Sequence, residues 1–289
     1  MFYSLGAQGQ GTSFPVKRCF CLIGSDYDSY QVGMGVVKHV TGDFSDGLVK
    51  QDCAYLVAGP RPPKNPDGSD GEYPDAQRAY WANVHRAHSG YRGIVNSYES
   101  FENLHRFLFG DIKADVSLEN IYINTPDSGN PKDFYDFEFL FSIRKLPLFL
   151  HRREQDPCEN AMRRKRAEVM PNGKLYLHTA FMNSNLGDLN AASHFSFKIR
   201  VVEHRMKNHF WEQDYPERAI YDETGEVVVN LTTNQVQYHW LSDMIDPDHW
   251  EPTQFANGRY SFPLRPAGSF SATVVIEASR WPDPILTMD

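Results

Sequence analysis

His85 and His88 stand three residues apart in ANVHRAHSGYRGIVNS, residues 82–97, between an apolar run and the start of a helical pattern. Imidazole changes charge near neutral pH, so it serves as a general base or as a metal ligand. A His-x-x-His metal site needs a third ligand or a Glu-bearing helix, and neither accompanies this pair. An imidazole base needs a carboxylate on its second nitrogen, which fixes the tautomer and stabilises the imidazolium. Asp46, in GDFSDGLVKQD, is a candidate for that carboxylate. Taken alone, Asp46-Gly47 reads as a turn, so its position in the fold has to carry the assignment.

The elements around these residues supply that position. VKRCFCLIGSD, residues 16–26, is a continuous apolar run ended by Gly24 and Asp26, which predicts a strand covered on both faces, as in a parallel sheet. Residues 60–77 are crowded with Pro, Gly and Asp and form a surface excursion. AYWANVH then resumes as a second buried strand. Asn96 is placed to cap a helix with Glu99 three residues on, Phe101, Leu104 and Leu108 share one apolar face, and Gly110 stands where the helix stops. In a doubly wound sheet, catalytic groups collect in loops at the carboxyl ends of strands. Asp46 follows the first strand and His88 the second.

Beyond Asp111 the period changes. Phe137, Phe139, Phe141 and Ile143 alternate with polar or outward residues, as do Phe195, Phe197, Ile199 and Val201, and then Phe270, Ala272, Val274 and Ile276. With turns expected at Pro171-Asn172-Gly173 and Thr224-Gly225, this predicts an antiparallel β-sandwich. The expected domains are residues 1–112 and 113–289, giving a fold class of α/β plus all-β.

SDGLVKQDCAYL followed by YWANVHRAHSGYRGIVNSYESFENLHRFLFGD resembles the carboxyl-terminal end of the catalytic domain in lipase-like and esterase-like α/β-hydrolases. The acid of that family lies in an Asp-Gly-hydrophobic-Val loop and its histidine in a His-Ser-Gly loop. The resemblance covers residues 14–111, about a third of the chain. It implies that residues 1–112 are the last strands and helix of a partial hydrolase sheet, that Asp46 is the triad acid and that His88 is the general base. It also implies an acyl-ester or lipid substrate. His85, at the end of the apolar run, is better placed to brace the strand.

In this family the order is Ser, acid, His, with the serine in a G-x-S-x-G elbow. No such pentapeptide occurs. The nearest approach, DGSDG around Ser69, has Asp67 where glycine is required and lies in the Pro-rich excursion. The expectation is therefore the carboxyl-terminal part of a larger hydrolase, inactive until the segment bearing the nucleophile is supplied. Its apolar faces would be left uncovered without that segment. In that reading the sandwich helps place the catalytic part against a lipid surface or a protein partner. The alternative is a noncatalytic β-sandwich binding or interaction module, with the first 110 residues a hydrolase remnant.

The remaining features exclude function classes. A net charge of −8 argues against a general nucleic-acid binder. No apolar stretch approaches the length of a membrane span, and the amino-terminal residues lack secretory order, which predicts a cytoplasmic protein. Cysteines 19, 21, 53 and 158 show no CxxC pairing, and Cys19 and Cys21 read as reduced core residues. The basic run 151–169 reads as a solvated loop, and His204 and His209 as surface or cross-strand residues. DMIDPDHW lacks the spacing of a calcium loop, and the glycines at 6, 9 and 11 do not link a strand to a helix. No cofactor and no metal site is expected.

Overall fold

Alternating aromatic and aliphatic residues with polar ones gives many of the strands from residue 112 onward one dry face, and two such dry faces close on one another. The computed structural model describes residues 4–5, 15–24, 56–59, 62–63, 73–84, 86, 88, 90–91, 93–126, 133–143, 149–153, 161–170, 173–184, 193–205, 218–230, 235–242, 250–256, 258–265 and 267–282. These fall into two compact units, divided between Leu104 and His105.

The first unit holds short parallel pairs. β1 (Ser4–Leu5) pairs with β3 (Val57–Ala58), and β2 (Phe20–Gly24) with β4 (Tyr80–Val84). Val16–Arg18, expected within the first strand, forms a 3-10 turn after Pro15, and the strand begins only at Phe20. All five residues of β4 are buried, whereas Phe20, Cys21 and Leu22 are half-exposed, so β2 is not covered along its length.

Helix α1 (Tyr98–Phe109) begins one residue later than the sequence suggests. Ser97, not Asn96, is the cap: its Oγ accepts the Ser100 amide N–H at 3.1 Å. Asn96 instead donates to the Gly90 carbonyl. Gly110 ends the helix for a steric reason, since a Cβ there would lie 2.3 Å from the Arg106 carbonyl oxygen and 2.7 Å from that of Met182. The last turn of α1 belongs to the second unit. Phe107 packs edge-on against Phe181 with centroids 5.1 Å apart, and its carbonyl accepts the Trp281 indole N–H at 2.7 Å.

The second unit is mostly antiparallel β. One sheet runs β14 (Gln254–Ala256), β15 (Arg259–Pro263), β16 (Phe270–Arg280), β5 (Ile112–Ile123) and β9 (Gly173–Met182). The other runs β13 (Glu251–Pro252), β12 (Gln235–Trp240), β11 (Arg218–Asn230), β10 (Ser193–His204), β6 (Phe134–Ile143) and β7 (Phe149–Arg153), with β8 (Met162–Lys165) also on β6. The alternating residues meet in register: Phe137 opposite Val201, Phe139 opposite Ile199, Phe141 opposite Phe197, Ile143 opposite Phe195. All eight are buried in one core.

Aromatic rings bridge the two sheets at the centre of that core. Phe137 meets Phe270 at 6.2 Å, Phe197 meets Phe262 at 5.6 Å, and Tyr238 stacks on Phe262 at 4.8 Å. Each such ring buried contributes about 1.5–3 kcal/mol of transfer free energy.

Two expectations change here. Thr224-Gly225 is not a turn: β11 runs straight through it, with Gly225 opposite both Phe197 and Trp240. Glycine occupies that position because a Cβ would lie 2.7 Å from the Phe197 ring. The basic run is not a solvated loop either. Its described residues form the end of β7, then β8 and the single turn α2 (Arg166–Val169), with Met162 and Val169 in the core. Arg166 donates to the carbonyls of Thr125 and Ile123.

Candidate functional site

β2 and β4 lie side by side and parallel, with Gly24 opposite Val84 at their carboxyl ends. The chain therefore leaves both strands at the same edge of the pair, toward Asp46 after the first and His88 after the second. Asp46 and His85 lie outside the described residues. His88 is half-buried in the segment that joins β4 to α1.

That segment is fixed at two points. Arg86 Nη2 reaches Glu99 Oε1 at 2.7 Å, tying the residue two before His88 to the first turn of α1. A carboxylate there also faces the positive end of the helix dipole. On the far side of His88, Gly90 sits at φ +90° and its carbonyl accepts the Gly93 amide at 2.9 Å and the Asn96 carboxamide at 3.2 Å. Only glycine takes that backbone conformation freely, so Gly90 turns the chain tightly just beyond the imidazole.

Two further features escaped sequence reading. Asn83, one residue before the end of β4, is buried, and neither its amide oxygen nor its amide nitrogen has a hydrogen-bond partner. A buried carboxamide left unpaired costs about 1–3 kcal/mol. The only signal was a polar residue inside the apolar run YWANV.

The second feature is the orientation of α1. Ser100, Glu102, Asn103 and Arg106 are buried, while Phe101 is 58% exposed, Leu108 56% and Phe109 64%. The stripe formed by Phe101, Leu104 and Leu108 is the outward face of the helix. An amphipathic helix in a finished domain turns its apolar stripe inward.

Titratable groups cluster more densely on the outer face of the larger sheet. Asp136 is almost fully buried; Arg163 donates to its carboxylate through Nε at 3.0 Å and Nη2 at 2.9 Å, and His204 Nε2 lies 3.0 Å from Oδ2. The imidazole stacks on Phe134 at 4.5 Å, and the Arg163 guanidinium covers the other side of the same neighbourhood, 3.8 Å from that ring. His204 is thus buried in an ion cluster, not a surface residue. Burial works to raise the Asp136 carboxyl, but the contacts with His204 and Arg163 outweigh it and hold the group below the usual carboxylate range. Beside it Arg200 bridges Glu138, at 2.9 Å, and Asp222, at 3.6 Å. Each acid here is paired with at least one cation, and Arg200 serves two of them, which suits the cluster to holding strands together rather than to moving protons.

Cys19 and Cys21 are both free thiols, and burial raises both. They are half-buried, which tempers their reading as core residues. Among the described residues no group of three or more His, Cys, Asp or Glu is arranged to hold a metal ion, and no helix is long and apolar enough to cross a membrane. No known protein family matches the chain, and no curated protein matches its sequence.

Proposed function

We propose that this chain is the carboxyl-terminal part of a serine carboxylic-ester hydrolase, contributing the triad acid Asp46 and the general base His88 to a nucleophile carried by another segment. The observation that supports the reading is the parallel pairing of β2 and β4, whose carboxyl ends lie side by side and precede Asp46 and His88 in the sequence. The outward apolar stripe of α1 and the unpaired Asn83 carboxamide support it, because both are surfaces that a further layer of structure would cover or satisfy.

In this reading His88 takes the proton of the serine hydroxyl as that oxygen attacks the ester carbonyl, and Asp46 holds the imidazole in the productive tautomer. His88 then returns the proton to the leaving alcohol, and water repeats the cycle on the acyl-enzyme. The Arg86–Glu99 pair and the Gly90 turn on either side of His88 restrict how far the imidazole can wander, which is what positioning a base requires.

The reading is tested on a longer chain that begins upstream and includes a G-x-S-x-G. Such a chain is expected to hydrolyse a short-chain aryl ester and to be labelled by a fluorophosphonate at the elbow serine, while the 289-residue chain does neither. The absence of any such pentapeptide in the upstream coding sequence, in frame or in an adjacent frame, sinks the proposal. The second reading, a noncatalytic sandwich module, then takes its place.

A further inference from the structure

The core of the second unit changes character along its length. Its middle is filled by Phe137, Phe262, Phe270 and Tyr221. Toward the start of β5 and the end of β16 the inward positions carry Ala114, Val116, Val227, Val236 and Ala278 instead. Phe141, Phe195 and Met182 also reach this end, but with alanine and valine at so many inward positions they do not fill the space between two sheets about 10 Å apart. A cavity of about 120 Å³ remains between the sheets there.

We propose that this cavity is a binding slot for the hydrocarbon end of an aliphatic chain. The proposal rests on the sandwich alone and stands whichever reading of the first unit survives. Every lining side chain is hydrocarbon or thioether except Tyr260, so water inside would find too few partners to be held. An apolar cavity of about 150 Å³ is known to stay dry and to take up benzene, so this one has room for roughly four to six carbons.

Shape favours a chain over a ring. The lining takes in Ile112, Ala114 and Val116, consecutive inward positions of β5, a run of about 13 Å at the rise of an antiparallel strand. So small a volume spread over that length is a narrow channel. Ile112, Val229, Tyr260 and Ile276 are half-buried and form its mouth, while Val116, Phe195 and Val236 are buried and form its floor. Tyr260, the one lining residue with an oxygen in its side chain, is among the half-buried residues, and the polar head of an entering chain would stay at that end.

Straight-chain carboxylates from four to twelve carbons, each kept below its micelle concentration, test this on the full chain by methyl NMR. Affinity is expected to rise about fourfold per added methylene, from roughly 0.8 kcal/mol each, and to level off once the slot is full. Shifts are expected in the methyls of Ile112, Val116 and Val227. Ala114→Phe should weaken binding at least tenfold; Val229→Phe, at the more tolerant mouth, repeats the test should the first variant not fold.

Vesicles of phosphatidylcholine decide the source of the chain. Binding to vesicles that is lost in Ala114→Phe points to a bilayer lipid, and binding confined to monomeric carboxylates points to a free fatty acid. Three results overturn the proposal: no saturable binding of either source, affinity climbing unabated through twelve carbons as for surface adsorption, or unchanged binding in both filled variants.

Discussion

His204 Nε2 lies 3.0 Å from the carboxylate of Asp136, deep on the outer face of the larger sheet, with Arg163 closing the cluster from the neighbouring strand. Asp136→Asn removes the buried carboxylate that Arg163 and His204 share, and breaking a buried pair from one side costs about 3–5 kcal/mol. Urea unfolding of the second unit should show a loss in the lower part of that range, because Arg163 is half exposed and can turn to water.

The same carboxylate sets a pH dependence. Its folded-state pKa lies below its ordinary value, so the stability it confers is full above about pH 4 and is lost as pH falls through the folded value. Unfolding midpoints measured from pH 6 down to pH 2 should fall more steeply for the native chain than for Asp136→Asn. Parallel slopes for the two proteins would mean that the cluster contributes no such linkage.

Gly110→Ala is expected to destabilise the chain by about 2–3 kcal/mol, since the new methyl meets backbone carbonyls of both Arg106 and Met182, and backbone cannot swing aside as a side-chain tip can. Thermal melting should report the loss. Gly268→Ala, where the space beyond the α-carbon is open, serves as the control.

Much of the second unit was legible because period-two alternation is read directly off inward-facing residues such as Phe137 and Ile199, and cross-strand register follows once one pair is set. Thr224-Gly225 misled because glycine marks either a turn or a close approach of side chains, and local sequence does not distinguish them. The basic run misled for a related reason: Arg163 and Arg166 are held by a carboxylate and by carbonyls far away in the chain, which charge alone cannot reveal. At the candidate site, the period of α1 grouped Phe101, Leu104 and Leu108 correctly on one face but carried no information on whether that face meets a neighbour.

That outward face gives a test of whether further structure covers α1. Phe101→Asp and Leu108→Glu replace exposed side chains, so in this chain their effect on stability should stay within about 0.5 kcal/mol, with a gain in solubility. In a longer chain that covers the helix the same changes bury a charge without a partner and should cost about 3 kcal/mol or more. Equal, small effects in both chains would show that α1 remains uncovered and would remove one support of the hydrolase reading.

His88 and His85 separate the base from its neighbour. In the longer chain, His88→Ala should lower kcat for a short-chain aryl ester by about 10⁴-fold or more, since loss of the imidazole leaves only binding and oxyanion stabilisation. His85→Ala should leave activity within about tenfold, because in the hydrolase reading His88, not His85, is the base. Asp46→Asn should resemble His88→Ala, and the double variant should be hardly worse than either single one, as expected for groups that act as a unit. A ranking in which His85→Ala is the inactive variant would move the base three residues upstream, and additive losses at Asp46 and His88 would mean that the two side chains do not work on the same proton.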